Sequence, residues 1–226
     1  MVTNNFILIG ANSEFATTLA EALQKNKHNV YGVSRNTIPY LNKNDQIQLK
    51  DYIENSDDIL KFIEKINNPY IIFFNGFLAE NRPKYSPNYI EIEKTIKANY
   101  LIPFNLTNKI HKNMKVKKFI YISSMAAVKP RFKNYIYGQS KKSLEESIIK
   151  NKDLNYLILR FGQIKTKMSE NHKQPPFTLS KEEASLKLMK SINKKGITYP
   201  TIQLLIMALF IKFVPKNFID KLEEQL

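Results

Sequence analysis

Short apolar runs alternate with longer stretches of helical period along most of the 226-residue chain. The apolar runs NFILIG, NVYGVS, QIQL, YIIFF, KFIYIS and NYLILR are rich in β-branched and aromatic residues, and most are followed by a segment such as EFATTLAEALQKN. Strands that alternate with helices form a parallel sheet covered on both faces. The pattern therefore predicts an α/β fold, a Rossmann-type doubly wound parallel sheet in three α/β/α layers.

The composition changes after the strand NYLILR. Residues 161–180 contain two adjacent prolines and many polar side chains, which is typical of a loop over a site. Ser180 and Glu183 have the spacing of a capping box, which predicts a helix through about Lys194, and GITYP is a candidate last strand. We divide the chain into a domain over residues 1–200 and an apolar, basic segment over residues 201–226.

The C-terminal run IQLLIMALFIKFV, residues 202–214, is apolar except for Gln203 and Lys212. A transmembrane helix needs about 20 apolar residues, so this run is too short to span a bilayer. It either packs on the core or on a partner subunit, or lies in a membrane interface with Lys212 and Lys216 toward lipid phosphates. The sequence leaves both interpretations open.

The chain is strongly basic, with a formal net charge of +15. No acidic residue occurs between Glu93 and Glu145, although this interval holds twelve lysines and arginines. Such an excess suits an anionic partner, which can be a phosphorylated cofactor or substrate, a membrane surface or a nucleic acid. A general bias toward lysine explains the charge equally well. Because the chain has no nucleic-acid recognition motif, we do not predict a nucleic-acid partner.

Residue types exclude several classes of chemistry. The chain has no cysteine, so it has neither disulfides nor thiolate ligands, and its three histidines show no metal-ligand spacing. We therefore predict no metal site. The N-terminus MVTNNFILIG lacks the basic region and the long apolar run of a signal peptide, so we expect a cytoplasmic protein.

A nucleotide site is expected at the first strand-to-helix turn, where free amides and a positive helix end favour phosphates. The turn reads GANSEFA and keeps Gly10, while Glu14 and Ala16 occupy the other positions of a glycine-rich loop. At the end of the second strand, the sequence Ser34-Arg35-Asn36 lacks the acidic residue that NAD-binding chains use for the ribose. A basic residue there accommodates a 2′-phosphate, so we expect NADP(H) rather than NAD(H).

A second group of polar residues predicts proton-transfer chemistry. Ser124 ends the strand KFIYIS, Tyr137 follows thirteen residues later, and Lys141 shares a helix face with Tyr137. A nearby ammonium is expected to lower the pKa of the phenol, so that Tyr137 can protonate a carbonyl oxygen that Ser124 holds. Tyr135 has only Gln139 at the same spacing, and we interpret it as a wall or packing residue.

Ser124, the Tyr137-x-x-x-Lys141 pair and an upstream Asn99 resemble the catalytic set of the short-chain dehydrogenase/reductase superfamily. The resemblance covers about residues 5–195 and implies that Lys141 also holds the nicotinamide ribose and that Asn99 carries a water. It implies cofactor contacts from the first loop, the strand ends and the loop after NYLILR. These are Gly10, Asn12, Ser13, Glu14, Phe15, Ser34, Arg35, Asn36, Asp51, Tyr52, Asn75, Gly76, Tyr137, Lys141, Gly162, Ile164 and Thr166.

Within that superfamily, the stretches SSMAAVKPRFKNYIYGQSK, LRFGQIKTKMS and PPFTLSKEEAS resemble the reductase half of decaprenylphosphoryl-ribose 2′-epimerase. Phe161 and Ala16 depart from that branch, which has proline and glycine there. The resemblance implies reduction of a 2-keto sugar on a polyprenyl phosphate in bacterial polysaccharide or cell-wall synthesis. It also implies a separate flavin oxidase, peripheral contact with the inner face of the membrane, a sugar-phosphate site bordered by Lys129, Arg131 and Lys133, and a homo-oligomer.

Two other functions fit the same residues. The substrate can be a soluble nucleotide-linked sugar or a small carbonyl compound, with the same fold and catalytic set. Alternatively, the chain can be a nucleotide-sensing module that keeps the fold without turnover, although the intact Ser124, Tyr137 and Lys141 argue against this.

Overall fold

A computed structural model describes residues 2–79, 86–169 and 174–215. It contains one seven-stranded parallel sheet with the strand order β3-β2-β1-β4-β5-β6-β7. The strands are β1 (Asn5–Ile9), β2 (Asn29–Ser34), β3 (Gln46–Gln48), β4 (Tyr70–Phe73), β5 (Lys118–Ser124), β6 (Tyr156–Phe161) and β7 (Gly196–Thr198). The helices are α1 (Glu14–Lys25), α2 (Ser56–Glu64), α3 (Tyr89–Ile96), α4 (Ile102–Asn113), α5 (Tyr135–Lys150), α6 (Lys181–Ser191) and α7 (Ile202–Phe213).

This architecture confirms the predicted doubly wound sheet. The strand order reverses between β1 and β4, and such a switch point opens a crevice at the carboxyl ends of the strands. The central strands are buried on both faces, because alternate residues of β1 enter two different cores. Phe6 and Leu8 pack with residues of α1 and α6, whereas Ile7 and Ile9 pack with residues of α2, α4 and α5.

A π-helical turn, Lys97–Leu101, joins α3 to α4. Single π-turns bend a helix and often occur at functional sites. Asn99 lies in this turn and is fully buried. Pro103 follows in the first turn of α4.

The C-terminal elements agree with the sequence prediction in kind and differ in length. Ser180 and Glu183 form the predicted capping box, but α6 ends at Ser191 rather than near Lys194. The stretch GITYP contributes β7, which pairs with β6 at the sheet edge. Of the α7 side chains, Leu204 and Ala208 are the buried ones. Among the described residues, no helix is long and apolar enough to cross a membrane.

Candidate active site

The loops that follow four neighbouring strands meet at the carboxyl edge of the sheet. Gly10 follows β1, Asn75 lies just beyond β4, Ser124 ends β5 and Gly162 follows β6. All four were predicted as site residues, and the parallel sheet brings them to the same edge. This edge is where doubly wound folds bind nucleotides.

Gly10 lets the first loop approach the loop after β4. Its φ is +83°, and a Cβ at this position would lie 3.2 Å from the backbone nitrogen of Asn75. A side chain would therefore be strained and crowded. Ser13 caps α1, since its hydroxyl accepts a hydrogen bond of 3.1 Å from the Ala16 amide. The remaining amides of the first helical turn lack a carbonyl one turn earlier, which makes this helix end suitable for phosphate.

Glu14 and Phe15 occupy this loop in different ways. The Glu14 carboxylate lies 3.2 Å from the ammonium of Lys181 at the start of α6, so its charge is paired beside the expected phosphate site. Phe15 is only 5% exposed, and its ring makes edge contacts with Phe74 and Phe161. The Phe15 side chain therefore belongs to the core, and the predicted cofactor contact of this residue falls to its backbone amide. The ring contact with Phe15 also explains why a phenylalanine stands at position 161, where the similar reductases have proline.

The end of β2 is fastened to the first loop by side chains. The Ser34 hydroxyl hydrogen-bonds with the Asn12 side chain and with the Asn36 carbonyl oxygen at 2.7 Å. Asn12 in turn donates to the Thr37 carbonyl at 3.1 Å. Asn12 and Ser34 therefore shape the loops, while Arg35 and Asn36 are exposed beside them.

Asp51 and Tyr52 lie beyond β3 and differ in what they contact. Asp51 is ion-paired with Lys97, and it also accepts a hydrogen bond of 2.8 Å from the Ile53 amide. Although burial opposes the charge, these hydrogen bonds hold the pKa of Asp51 below its ordinary value. Tyr52 is buried, which raises its pKa to about 12 against the opposing effects of Arg35 and the Asn75 amide. Arg35, Tyr52 and Asn75 are thus neighbours.

The structure brings Ser124, Tyr137 and Lys141 together. The Tyr137 hydroxyl lies close enough to the Ser124 side chain for Ser124 to lower the pKa of the phenol. One helical turn along α5, the Lys141 ammonium donates to the carbonyl oxygens of Ile122 at 3.0 Å and Asn75 at 3.3 Å. Lys141 therefore connects the end of β5 with the loop that follows β4.

Gly138 makes this approach possible, and the sequence reasoning did not single it out. A Cβ at Gly138 would lie 2.7 Å from the carbonyl oxygen of Ala126, so α5 can lie this close to the turn after Ser124 only with glycine here. The signal was present, since an isolated glycine within a helical pattern often has a packing reason.

Burial determines the protonation of the two ionisable groups. It raises the pKa of Tyr137, and the nearby Ser124 side chain offsets only part of this effect. The expectation that Lys141 lowers the pKa of this phenol was therefore wrong for the protein alone. Burial lowers the pKa of Lys141 to about 8, with Glu145 opposing the change. At neutral pH, Tyr137 is a neutral phenol that has a proton to donate.

Asn99 acts on the loop after β4. Its side-chain amide donates to the Phe77 carbonyl at 2.7 Å, and its side-chain oxygen accepts from the Phe77 amide at 3.4 Å. These bonds hold the loop whose Asn75 carbonyl contacts Lys141. Gly76 lies between Asn75 and Phe77 in this loop and is half-buried.

Comparison with known proteins agrees with this geometry. The sequence profile of a family described as NAD(P)H-binding matches residues 10–185. The chain belongs to this NAD(P)H-binding family. With TM-scores of 0.74 and 0.75, it is similar in fold to a short-chain dehydrogenase from Burkholderia cenocepacia in complex with NADP and to one from Streptomyces avermitilis. The identities are 14% and 15%, and the matches cover 94% and 93% of this chain and 98% and 93% of those chains.

A third similar structure is the aldohexose dehydrogenase of Thermoplasma acidophilum, with 13% identity and a TM-score of 0.67 over 87% of this chain and 92% of that one. The family match confirms the expected NAD(P)H-binding class, and the similar structures confirm the expected Rossmann-type fold.

A nicotinamide dinucleotide fits the edge of this NAD(P)H-binding domain. The Asn75 side-chain oxygen is buried, and the described residues offer it no hydrogen-bond partner. A buried polar atom of this kind needs a hydrogen-bond partner. Asn75 lies next to Gly10, which precedes the open N-terminal end of α1. Gly10, the α1 amides and Asn75 are therefore the residues that would hold the dinucleotide.

A buried ionic network lies one turn beyond Lys141, and the sequence analysis missed it. Glu145 accepts a hydrogen bond of 2.6 Å from Ser123 and bonds of 3.0 and 3.1 Å from the Arg160 guanidinium. Arg160 also donates to the Tyr199 hydroxyl at 2.8 Å. The available signal was Glu145 itself, the first acidic residue after a long basic interval and four residues after Lys141.

The remaining predicted cofactor residues lie in the loop after β6. Gly162 faces the Leu204 side chain, from which an added Cβ would be 3.2 Å away. Ile164 pairs with Leu179 as an isolated β-bridge. Thr166 is bonded through its backbone to Ser169, with the Thr166 amide 3.1 Å from the Ser169 hydroxyl. Residues 170–173 and Lys216 lie outside the described residues.

Proposed function

We propose that this protein is an NADPH-dependent carbonyl reductase in which Ser124, Tyr137 and Lys141 carry the proton-transfer chemistry. The observation that carries the proposal is that Ser124, Tyr137 and the buried Lys141 meet at the carboxyl edge of the sheet, with the Lys141 ammonium held by the Ile122 and Asn75 carbonyls. Asn99 supports the same site by holding the loop after β4.

The arrangement suits reduction of a ketone to an alcohol. When bound, the nicotinamide supplies the hydride. The Ser124 hydroxyl donates a hydrogen bond to the substrate oxygen and stabilises the negative charge that develops there. Tyr137, which burial keeps neutral, donates its proton to that oxygen. Lys141 lies one helical turn away, and its pKa of about 8 suits proton exchange near neutral pH, so it can return a proton to the site after Tyr137 has donated its own.

NADPH is favoured over NADH by the residues at the end of β2. Ser34, Arg35 and Asn36 provide no carboxylate for a ribose diol, and Arg35 is exposed beside Tyr52. A guanidinium at this position can pair with a 2′-phosphate through charge-assisted hydrogen bonds.

The substrate that we infer is a 2-keto-pentofuranose carried on a polyprenyl phosphate. Three features support it. The motifs around Tyr137 and after β6 resemble reductases of such substrates. Lys129, Arg131 and Lys133 lie in the loop between β5 and α5, where cations suit a sugar phosphate. The apolar helix α7 packs against the same edge through Leu204.

This function also implies partners for the reductase. A 2-keto sugar must be produced by oxidation of a hydroxyl group, for which we infer a separate flavin oxidase, and the lipid carrier places the reaction at the cytoplasmic face of a membrane. We further infer a homo-oligomer through the helical layer containing Asn99 and Tyr137, where Leu101 and Ile149 are large exposed apolar residues.

A substrate panel tests this proposal. Purified protein is mixed with NADPH and, in separate reactions, with a keto-pentofuranosyl polyprenyl phosphate, a nucleotide-linked keto sugar and small ketones. We expect NADPH oxidation with the lipid-linked sugar and formation of the corresponding alcohol by mass spectrometry. Activity only with the soluble compounds would overturn the substrate class. If none of the carbonyl compounds leads to NADPH oxidation, the protein is not a carbonyl reductase.

A further inference from the structure

Helix α7 exposes a continuous apolar surface. Ile202, Ile206, Leu209, Phe210 and Phe213, which we name the apolar stripe, are between 48% and 85% exposed. Their spacing places them along one side of the helix. The opposite side is apolar as well, with the buried Leu204 and Ala208, so α7 is apolar nearly all round. Exposed apolar patches of this kind commonly mark an interaction site.

The structure attaches α7 at both ends to the loops that form the active-site edge. Near its beginning, Leu204 packs against Gly162 after β6. At its end, the Lys129 ammonium donates to the carbonyl oxygens of Lys212 at 3.1 Å and Val214 at 2.5 Å. Lys129 lies five residues after Ser124 in the chain. A surface that binds the apolar stripe therefore lies close to the mouth of the site.

The surroundings of the stripe are basic. In the described parts of residues 124–144, 161–181 and 201–215 there is no aspartate or glutamate, although Glu182 and Glu183 follow directly in α6 and Glu183 is near Lys165. These segments meet at the same edge of the sheet, and an anionic surface would complement them. The basic residues that they contribute outside the α5 helix and the Glu14 ion pair are Lys129, Arg131, Lys133, Lys165, Lys167 and Lys212.

We propose that α7 docks this protein on an anionic membrane surface, with the helix lying in the plane of the interface and the apolar stripe inserted among the lipids. Twelve helical residues extend over about 18 Å, which is too short to cross a bilayer but suits an interfacial helix. Membrane binding of this type is strengthened by an apolar contact and by a basic patch, and the edge of the molecule supplies both.

Charge favours a membrane over a second copy of the chain as the occupant. Two copies joined through α7 would bring the same basic segments together, on a chain with a net charge of +15. Anionic headgroups neutralise those segments instead. The inference deepens the proposed function, since a lipid-linked substrate gives docking a purpose, but binding to a membrane does not depend on turnover.

The test is cosedimentation of the full chain with vesicles in the absence of NADPH and substrate. We expect binding to vesicles that contain phosphatidylglycerol, weaker binding to pure phosphatidylcholine, and a decrease at high salt. The double variant Phe210→Ser/Phe213→Ser should reduce binding at least tenfold. A matched control, Ile90→Ser/Leu186→Ser, removes two exposed apolar side chains from α3 and α6 and should bind as the parent does.

Several results would overturn the proposal. Equal loss of binding in both double variants, no loss in either, or no binding of the parent to anionic vesicles would each do so. A stable dimer in light scattering that only Phe210→Ser/Phe213→Ser dissociates would show that a second copy covers the stripe. If a chain ending at Pro215 binds vesicles and the full chain does not, the residues after Pro215 cover the apolar stripe in the full chain, and the membrane does not. NADPH oxidation is measured separately, so failure of the reductase proposal is distinguishable from failure of docking.

Discussion

Burial has opposite effects on the two ionisable residues of the candidate active site. It raises the pKa of Tyr137, which keeps the phenol protonated, and lowers the pKa of Lys141 to about 8. Each effect disfavours the charged form in a dry environment. In the proposed reaction Tyr137 therefore starts as the proton donor, and Lys141 is the group that titrates near physiological pH.

The pKa of Lys141 predicts a pH dependence of stability. The folded protein releases this proton near pH 8, whereas the unfolded chain keeps it to about pH 10.5. Burying the ammonium therefore costs about 3 kcal/mol at neutral pH, and the cost falls as pH rises through this window. Relative to Lys141→Met, the parent should gain about this much stability between pH 7 and pH 10.5.

Urea unfolding of both proteins at several pH values without cofactor measures the difference. Comparing the two proteins cancels the titration of the other groups. A stability difference that stays constant with pH, or that decreases above pH 8, would contradict the position assigned to Lys141.

Arg35 should determine the choice between the two nicotinamide cofactors. If its guanidinium pairs with the 2′-phosphate, Arg35→Ala removes a charge-assisted hydrogen bond of about 1.5–3 kcal/mol, which is roughly a 10- to 100-fold increase in Kd for NADPH. The Kd for NADH should change little. Fluorescence titration of each cofactor measures both constants, with Lys43→Ala as a control for loss of a nearby exposed charge. Equal effects on both cofactors would contradict this role.

At the scale of the elements, the buried pair Glu145–Arg160 ties α5 to β6. Glu145→Ala would leave the Arg160 charge buried without its partner, and such a loss costs about 3–5 kcal/mol of unfolding free energy. Its neighbour Glu146 is exposed and lies 3.9 Å from Lys142, so Glu146→Ala should cost less than about 1 kcal/mol.

Thermal or chemical unfolding of both variants compares two carboxylates adjacent in the chain. Similar losses for Glu145→Ala and Glu146→Ala would mean that the buried pair does not stabilise the attachment of α5 to the sheet.

Local spacing predicted part of the site and missed contacts that depend on the fold. The distance from Tyr137 to Lys141 is fixed by helix geometry, so the sequence alone predicted their shared face. Arg160 and Glu145 belong to different elements, and only the sheet topology brings them together. Phe15 was assigned to the cofactor because of its place in the loop, yet its ring packs in the core. The position of a residue in the loop therefore predicts the contacts of its backbone amide, but it does not predict where its side chain packs.

At the scale of the whole molecule, the alternation of strands and helices was sufficient to predict the parallel sheet. The orientation of α7 could not be predicted, because a helix that is apolar on all sides has no periodic signal to show which side is buried. The structure shows that Leu204 and Ala208 face the protein and that Phe210 and Phe213 do not. The overall charge of +15 became informative only when the basic segments were found along the same edge.

The central claim is that the protein reduces a carbonyl group with Tyr137 as the proton donor. The most direct test measures NADPH oxidation by the parent, Tyr137→Phe and Tyr135→Phe with the keto-pentofuranosyl polyprenyl phosphate, together with the Kd for NADPH. Tyr137→Phe should lower kcat by about 10²- to 10⁴-fold with little change in Kd, while Tyr135→Phe should keep most of the activity. Activity that persists in Tyr137→Phe, or that is lost only in Tyr135→Phe, would contradict the account.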